Sequence, residues 1–205
     1  MFLDKDGNVI KGKSTETSLA IGVPGTIAGV FAVHTKLGSL PMSEILKPVI
    51  ALAERGVIVT KKQEKRLQDY HDVIVKINGP NTLLAGNFKE NDTIKYPALA
   101  NTLKRISKNG RNEFYKGETG KTLVKYIQKK GGIITLKDLE KYEAKWRKPL
   151  QFNYKDLKIT SMSPPSSGGI CLAQIMKMIA PYDLSKMGHN SEEAIQVIVE
   201  AERRA

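Results

Sequence analysis

Residues 150–179 read LQFNYKDLKITSMSPPSSGGICLAQIMKMI, and this stretch decides the class of fold. Leu150-Gln151-Phe152-Asn153-Tyr154 alternates apolar and polar, and Leu157-Lys158-Ile159-Thr160-Ser161-Met162 does the same, the period of half-buried strands. Only Lys155-Asp156 separates them, so the pair reads as a hairpin or as strands joined by a tight turn. Pro164-Pro165 stops the second strand. Ser166-Ser167-Gly168-Gly169 then opens a helix that runs through Leu172, Ile175, Met176 and Ile179. Free backbone N–H groups at Ser166, Ser167, Gly168 and Gly169 make this the candidate anion or oxyanion site. The plainer reading is that the serines cap the helix and the glycines let it pack closely on the strands.

Beyond the hairpin the chain is mostly helical. Ser191 caps a last helix, with Ala194, Ile195, Ile198 and Val199 expected inward, and that helix is still running at Arg204-Ala205. Towards the N-terminus, Thr135-Leu136-Lys137-Asp138 has capping-box character and starts a short helix toward Tyr142. Helices are also expected over 118–130, ended by Gly131-Gly132, and from Tyr96-Pro97 to Asn109-Gly110. Lys61 to Val75 reads as helical in its first half. Residues 42–55 carry one wide apolar stripe (Ile45, Leu46, Val49, Ile50, Leu52, Ala53), with Ser43 as cap, Pro48 inside and Gly56 at the end. Val23 to Leu37 reads as a tightly packed helix with Pro24 first, preceded by a short buried strand over Ser18–Val23. Asp6-Gly7-Asn8 suits a turn between Met1–Leu3 and Val9-Ile10. The expectation is one truncated domain over 1–205, mainly helical over 1–148, strands over 149–162 and helices over 163–205.

With 40% hydrophobic and 26% charged residues in 205, the chain has the composition of a globular protein, and no apolar run approaches the roughly 20 residues that cross a bilayer. Cys171 is the only cysteine, which excludes an intrachain disulfide and suits core packing. His34, His71 and His189 lack metal-ligand spacing, and no serine sits in a nucleophile-elbow pattern. Trp146, beside Arg147-Lys148-Pro149, is expected buried at a domain joint. The net charge of +12 concentrates in 104–130, where Lys121, Lys125 and Lys129 share one helix face opposite Leu123, Val124 and Ile127. A polyanion-binding module would use such charge, but arginine forks and stacking aromatics are scarce, so a solvated face is expected and no nucleic acid.

Six segments together resemble the heavy subunit of the gamma-glutamyltranspeptidase family. They are Gly22–Gly29 (GVPGTIAG), the helix from Gly38 to Gly56, Phe114-Tyr115-Lys116-Gly117, Gly131–Leu139 (GGIITLKDL), Ser163–Gly169 (SPPSSGG) and Val199–Ala205 (VEAERRA). They occur in the family's order and span nearly the whole chain. The resemblance implies an α+β, helix-rich piece of an N-terminal-nucleophile αββα sandwich. It also implies a precursor that cuts itself before a threonine, which then attacks glutathione or another gamma-glutamyl amide and passes the acyl group to water, an amino acid or a peptide. The family places that threonine downstream of the segment matching Val199–Ala205, and the arginine that grips the substrate's α-carboxylate upstream of Met1–Asp4.

The resemblance therefore implies no catalytic residue in this chain, an inactive piece on its own and a light subunit of the same precursor as partner. No cofactor or metal is implied, and the parent is expected to be periplasmic or secreted. The apolar faces at Leu150–Met162 and Ile195–Val199 are expected to self-associate when left open. A related N-terminal-nucleophile amidohydrolase, capsule-depolymerising or acylase, is the alternative.

Overall fold

Tyr115 is fully buried, and around it packs the first of two compact units, Met1–Ala144 and Lys145–Ala205, into which the computed structural model of residues 1–205 divides. The sequence reading runs one domain through to 205 with a change of texture at 149, beside this division. Across this division, residues 142–149 form no regular element.

The first unit opens with a bridge between Leu3 and Val9 around Gly7, whose φ of +86° suits glycine. The strand expected over Ser18–Val23 is not formed. Ser18–Ala20 makes a 3-10 turn, with no neighbouring strand to satisfy an extended backbone and with Ile21 exposed. Helix α1 spans Thr26–Leu37, later than expected, because Pro24 and Gly25 form the approach to it; Gly38 ends it. Helix α2 spans Met42–Arg55 with Pro48 inside; Pro41 rather than Ser43 occupies the cap. Strand β1, Val57–Ile58, leads to α3, Lys61–Asn78, capped by Thr60 accepting from Gln63 N at 3.3 Å. The helix runs on through the β-branched Val73, Ile74 and Val75, since an intact ladder outweighs their small propensity cost. Strand β2, Thr93–Ile94, pairs antiparallel with β1.

Helix α4, Pro97–Asn109, has proline in its first turn as expected. Then follow α5, Arg111–Tyr115, α6, Glu118–Lys129, and α7, Leu136–Glu140. Thr135 and Asp138 form the anticipated capping box. The core joins Ala28, Tyr115, Val124, Ile127, Ile134 and Leu139, with Val23, Ile27, Phe114, Leu123, Tyr142 and Ala144 against it.

In the second unit β3, Leu150–Tyr154, and β4, Leu157–Ser161, form the expected hairpin, registered from Leu150 against Ser161 to Tyr154 against Leu157. Helix α8, Gly168–Ile179, packs on both strands. A short α9, Leu184–Met187, precedes α10, Glu192–Glu202, whose Ser191 cap accepts from Ala194 N at 3.1 Å. Its inward residues are Ala194 and Ala201, with Val197 and Ile198 half-buried. Ile195 and Val199 face out at 48% and 43% exposure, contrary to expectation, because helical periodicity alone fits either of two adjacent stripes. Trp146 is 59% exposed rather than buried, on a segment with no element to fold its ring inward.

Candidate functional site

The candidate loop at 163–169 connects β4 to α8. Ser166 N donates to Ser163 O at 3.3 Å, and Ser166 Oγ accepts a long bond from Gly168 N at 3.4 Å. Ser167 occupies the cap position without a side-chain cap bond; its carbonyl receives Cys171 N at 2.9 Å. Ser167 and Gly168 are exposed, Ser166 half-buried and Gly169 buried. A methyl group on Gly169 would stand 2.1 Å from the Met162 carbonyl oxygen, so this glycine exists to bring α8 down on the end of β4. Capping by the serine hydroxyls amounts to the single long bond from Gly168. No hydrogen bond joins Ser166 or Ser167 to a histidine, carboxylate or lysine.

The histidines lie elsewhere. His34 Nε2 meets Leu40 O at 2.7 Å, and exposed His71 Nδ1 lies 3.2 Å from Asp72 Oδ1. No group of three His, Cys, Asp or Glu side chains is placed to hold a metal ion. Cys171 is half-buried, its Sγ 3.4 Å from Ala205 O.

The most tightly built polar site is one that the sequence did not announce. Glu113, 5% exposed, accepts from Arg105 Nε at 3.1 Å, Asn109 Nδ2 at 3.2 Å, Thr119 N at 3.1 Å and Thr119 Oγ1 at 2.9 Å. Burial pushes its pKa up. The bonds from Thr119 Oγ1, Asn109, Thr119 N and Arg105 outweigh that and hold it below the ordinary glutamate value. With these four bonds, Glu113 ties α4, α5 and the start of α6 together. In sequence it is one acid within a lysine run, and nothing local marks an acid as buried.

Beside it, Tyr115 OH donates to Pro24 O at 2.7 Å and accepts from Ala28 N at 3.1 Å. Its ring stacks on Tyr142 with centroids 5.9 Å apart, and the Arg111 guanidinium lies 4.4 Å over its face. Arg111 also donates to Tyr142 O. A side chain on Gly25 would run into the Tyr142 hydroxyl, so a glycine stands there. Segments 22–29, 114–117 and 131–139, three of the most distinctive in the sequence, thus meet in one buried core.

Residues 1–205 match the sequence profile of gamma-glutamyltranspeptidase. The chain is 36% identical over 209 residues to the glutathione hydrolase proenzyme of Escherichia coli (strain K12), covering all of this chain and 36% of that protein. The crystal structure of Helicobacter pylori gamma-glutamyltranspeptidase superposes with a TM-score of 0.94 at 39% identity, covering 99% of this chain and 59% of that one. The Bacillus anthracis transpeptidase enzyme CapD superposes with a TM-score of 0.75 at 32% identity, over 89% of this chain and 64% of that one. The chain spans about a third of the length of the curated relatives it matches.

Proposed function

Because the chain belongs to the gamma-glutamyltranspeptidase family, we propose that it is scaffold within the large subunit of an enzyme that cleaves gamma-glutamyl amides such as glutathione. In that reaction the hydroxyl of an N-terminal threonine, activated by its own amine, adds to the gamma-carbonyl and expels the amine product. Backbone donors stabilise the oxyanion, and water, an amino acid or a peptide then takes the acyl group from the threonine ester. The light subunit supplies the threonine and most contacts to the gamma-glutamyl group. This chain supplies no reacting group, and its Ser166–Gly169 loop serves helix packing.

One observation carries the scaffold reading: the segments by which the chain resembles its family over residues 22–29, 114–117 and 131–139 are spent on one buried core. A second supports it, since the candidate loop joins no base to a hydroxyl. The closer superposition on the Helicobacter enzyme than on CapD favours gamma-glutamyl amides over the substrates of a related amidohydrolase. We place the assembled enzyme in the periplasm or outside the cell. No helix of this chain is long and apolar enough to cross a membrane.

The test is to assay residues 1–205 beside a longer protein containing them, using a gamma-glutamyl anilide with and without an amino-acid acceptor. Turnover is expected only from the longer protein, and acceptor-dependent release of the acyl group distinguishes transfer from hydrolysis. Anilide release by residues 1–205 alone would overturn the scaffold reading.

A further inference from the structure

Helix α6 divides its residues sharply. Val124 and Ile127 are buried in the core, while Lys121, Lys125 and Lys129 stand exposed on the opposite face. Spaced one helical turn apart, the three ammonium groups form a line about 12 Å long. None of the three has an acidic partner: Glu118, the acid on the same helix, lies 3.8 Å from Arg105 instead. The line ends beside a hollow of about 440 Å³ whose lining includes Lys76, Lys130, Glu16, Thr17, Ile77 and Tyr126. Within it Lys76 lies 3.3 Å from Glu16, and Lys130 Nζ donates to Ile77 O at 3.1 Å.

Two other outward faces of this unit are different in kind. On α1 and α2, Val30, Val33, Leu37, Ile45 and Val49 are exposed, the composition of surfaces that another protein layer covers. A row of unpaired lysines is the composition of a surface left in water, since covering it would strand three desolvated charges. The α6 face therefore stays available when the apolar faces are occupied.

We infer that the Lys121–Lys125–Lys129 face docks the protein peripherally on an anionic lipid bilayer. Charge complementarity argues for that partner. The face is extended, with no enclosed pocket under the stripe to select a single anion, and lysine is a compact, strongly hydrated cation that suits a field of headgroup phosphates. Nucleic acid would call for arginine forks or stacking aromatics, and the row carries neither. The apolar side of α6 is committed to the core, so the contact is electrostatic, without insertion, and screened by salt. The inference is independent of the catalytic reading.

The test uses the full-length protein with vesicles of phosphatidylcholine alone or mixed with phosphatidylglycerol, read by co-sedimentation across a salt series. Binding is expected only to the mixed vesicles, weakening steeply with salt. Lys→Gln changes at 121, 125 and 129 should lower affinity roughly fivefold for each lysine neutralised. Lys→Arg changes at the same positions should preserve binding. Lys→Gln at 61, 62 and 65, which removes equal charge from the start of α3, should leave it within twofold. The proposal fails if mixed vesicles are not bound, if the α6 variant binds as the parent does, or if the α3 variant loses as much. Duplex DNA that displaces vesicles at equal phosphate concentration would overturn the lipid surface in favour of nucleic acid.

Discussion

Glu113 carries the heaviest electrostatic burden of any single residue here. It is 5% exposed, and its partners come from α4 and from the start of α6. Replacing it with glutamine keeps the shape but swaps two acceptor oxygens for one, so that Thr119 or Asn109 faces an amide donor. The expected cost is about 2 kcal/mol, the order of a lost charged hydrogen bond with a buried partner left unmade. Because the fold holds the Glu113 pKa below its ordinary value, the stabilisation is complete above that ordinary value. It is lost as pH falls through the lower, folded-state one. Urea unfolding of Glu113→Gln against the parent should therefore show a gap at neutral pH that closes in acid. A gap independent of pH would mean that packing, not charge, is what the residue contributes.

At the scale of elements, the contact between α8 and β4 rests on Gly169, where an added methyl would meet the Met162 carbonyl oxygen at 2.1 Å. Backbone cannot yield as a side-chain tip can, so Gly169→Ala should force α8 off the hairpin and cost about 1–3 kcal/mol. Gly168→Ala is the matched control, since its methyl would lie an ordinary 3.6 Å from Ser166 Oγ, and it should be nearly neutral. Thermal unfolding of both variants checks the pair, and equal melting temperatures would remove the packing account. The elements themselves were legible wherever a signal is local. The capping box at Thr135 and Asp138, the Lys155-Asp156 hairpin and the Ser191 cap each need only a few neighbouring residues. What local pattern does not contain is which of two adjacent stripes turns inward, hence the exposed Ile195 and Val199, or how far Trp146 is covered. The candidate loop was legible as strand–Pro-Pro–helix. The division of labour within it, with Gly169 packing and Ser167 making no cap bond, depends on where β4 ends in space.

For the molecule as a whole, the decisive quantity is surface. Large apolar side chains stand open in each unit, Leu37 and Leu40 in the first and Leu157 and Met162 in the second, all at 55–70% exposure. Isolated, such faces associate, so size exclusion with light scattering should show residues 1–205 growing in mass with concentration. The same measurement on a longer, processed protein that supplies the remaining layers should give a mass independent of concentration, because the faces are then covered. A clean monomer of residues 1–205 at high concentration would mean that these side chains tolerate water. The proposal that they are seats for the rest of a two-subunit enzyme would then lose its physical basis.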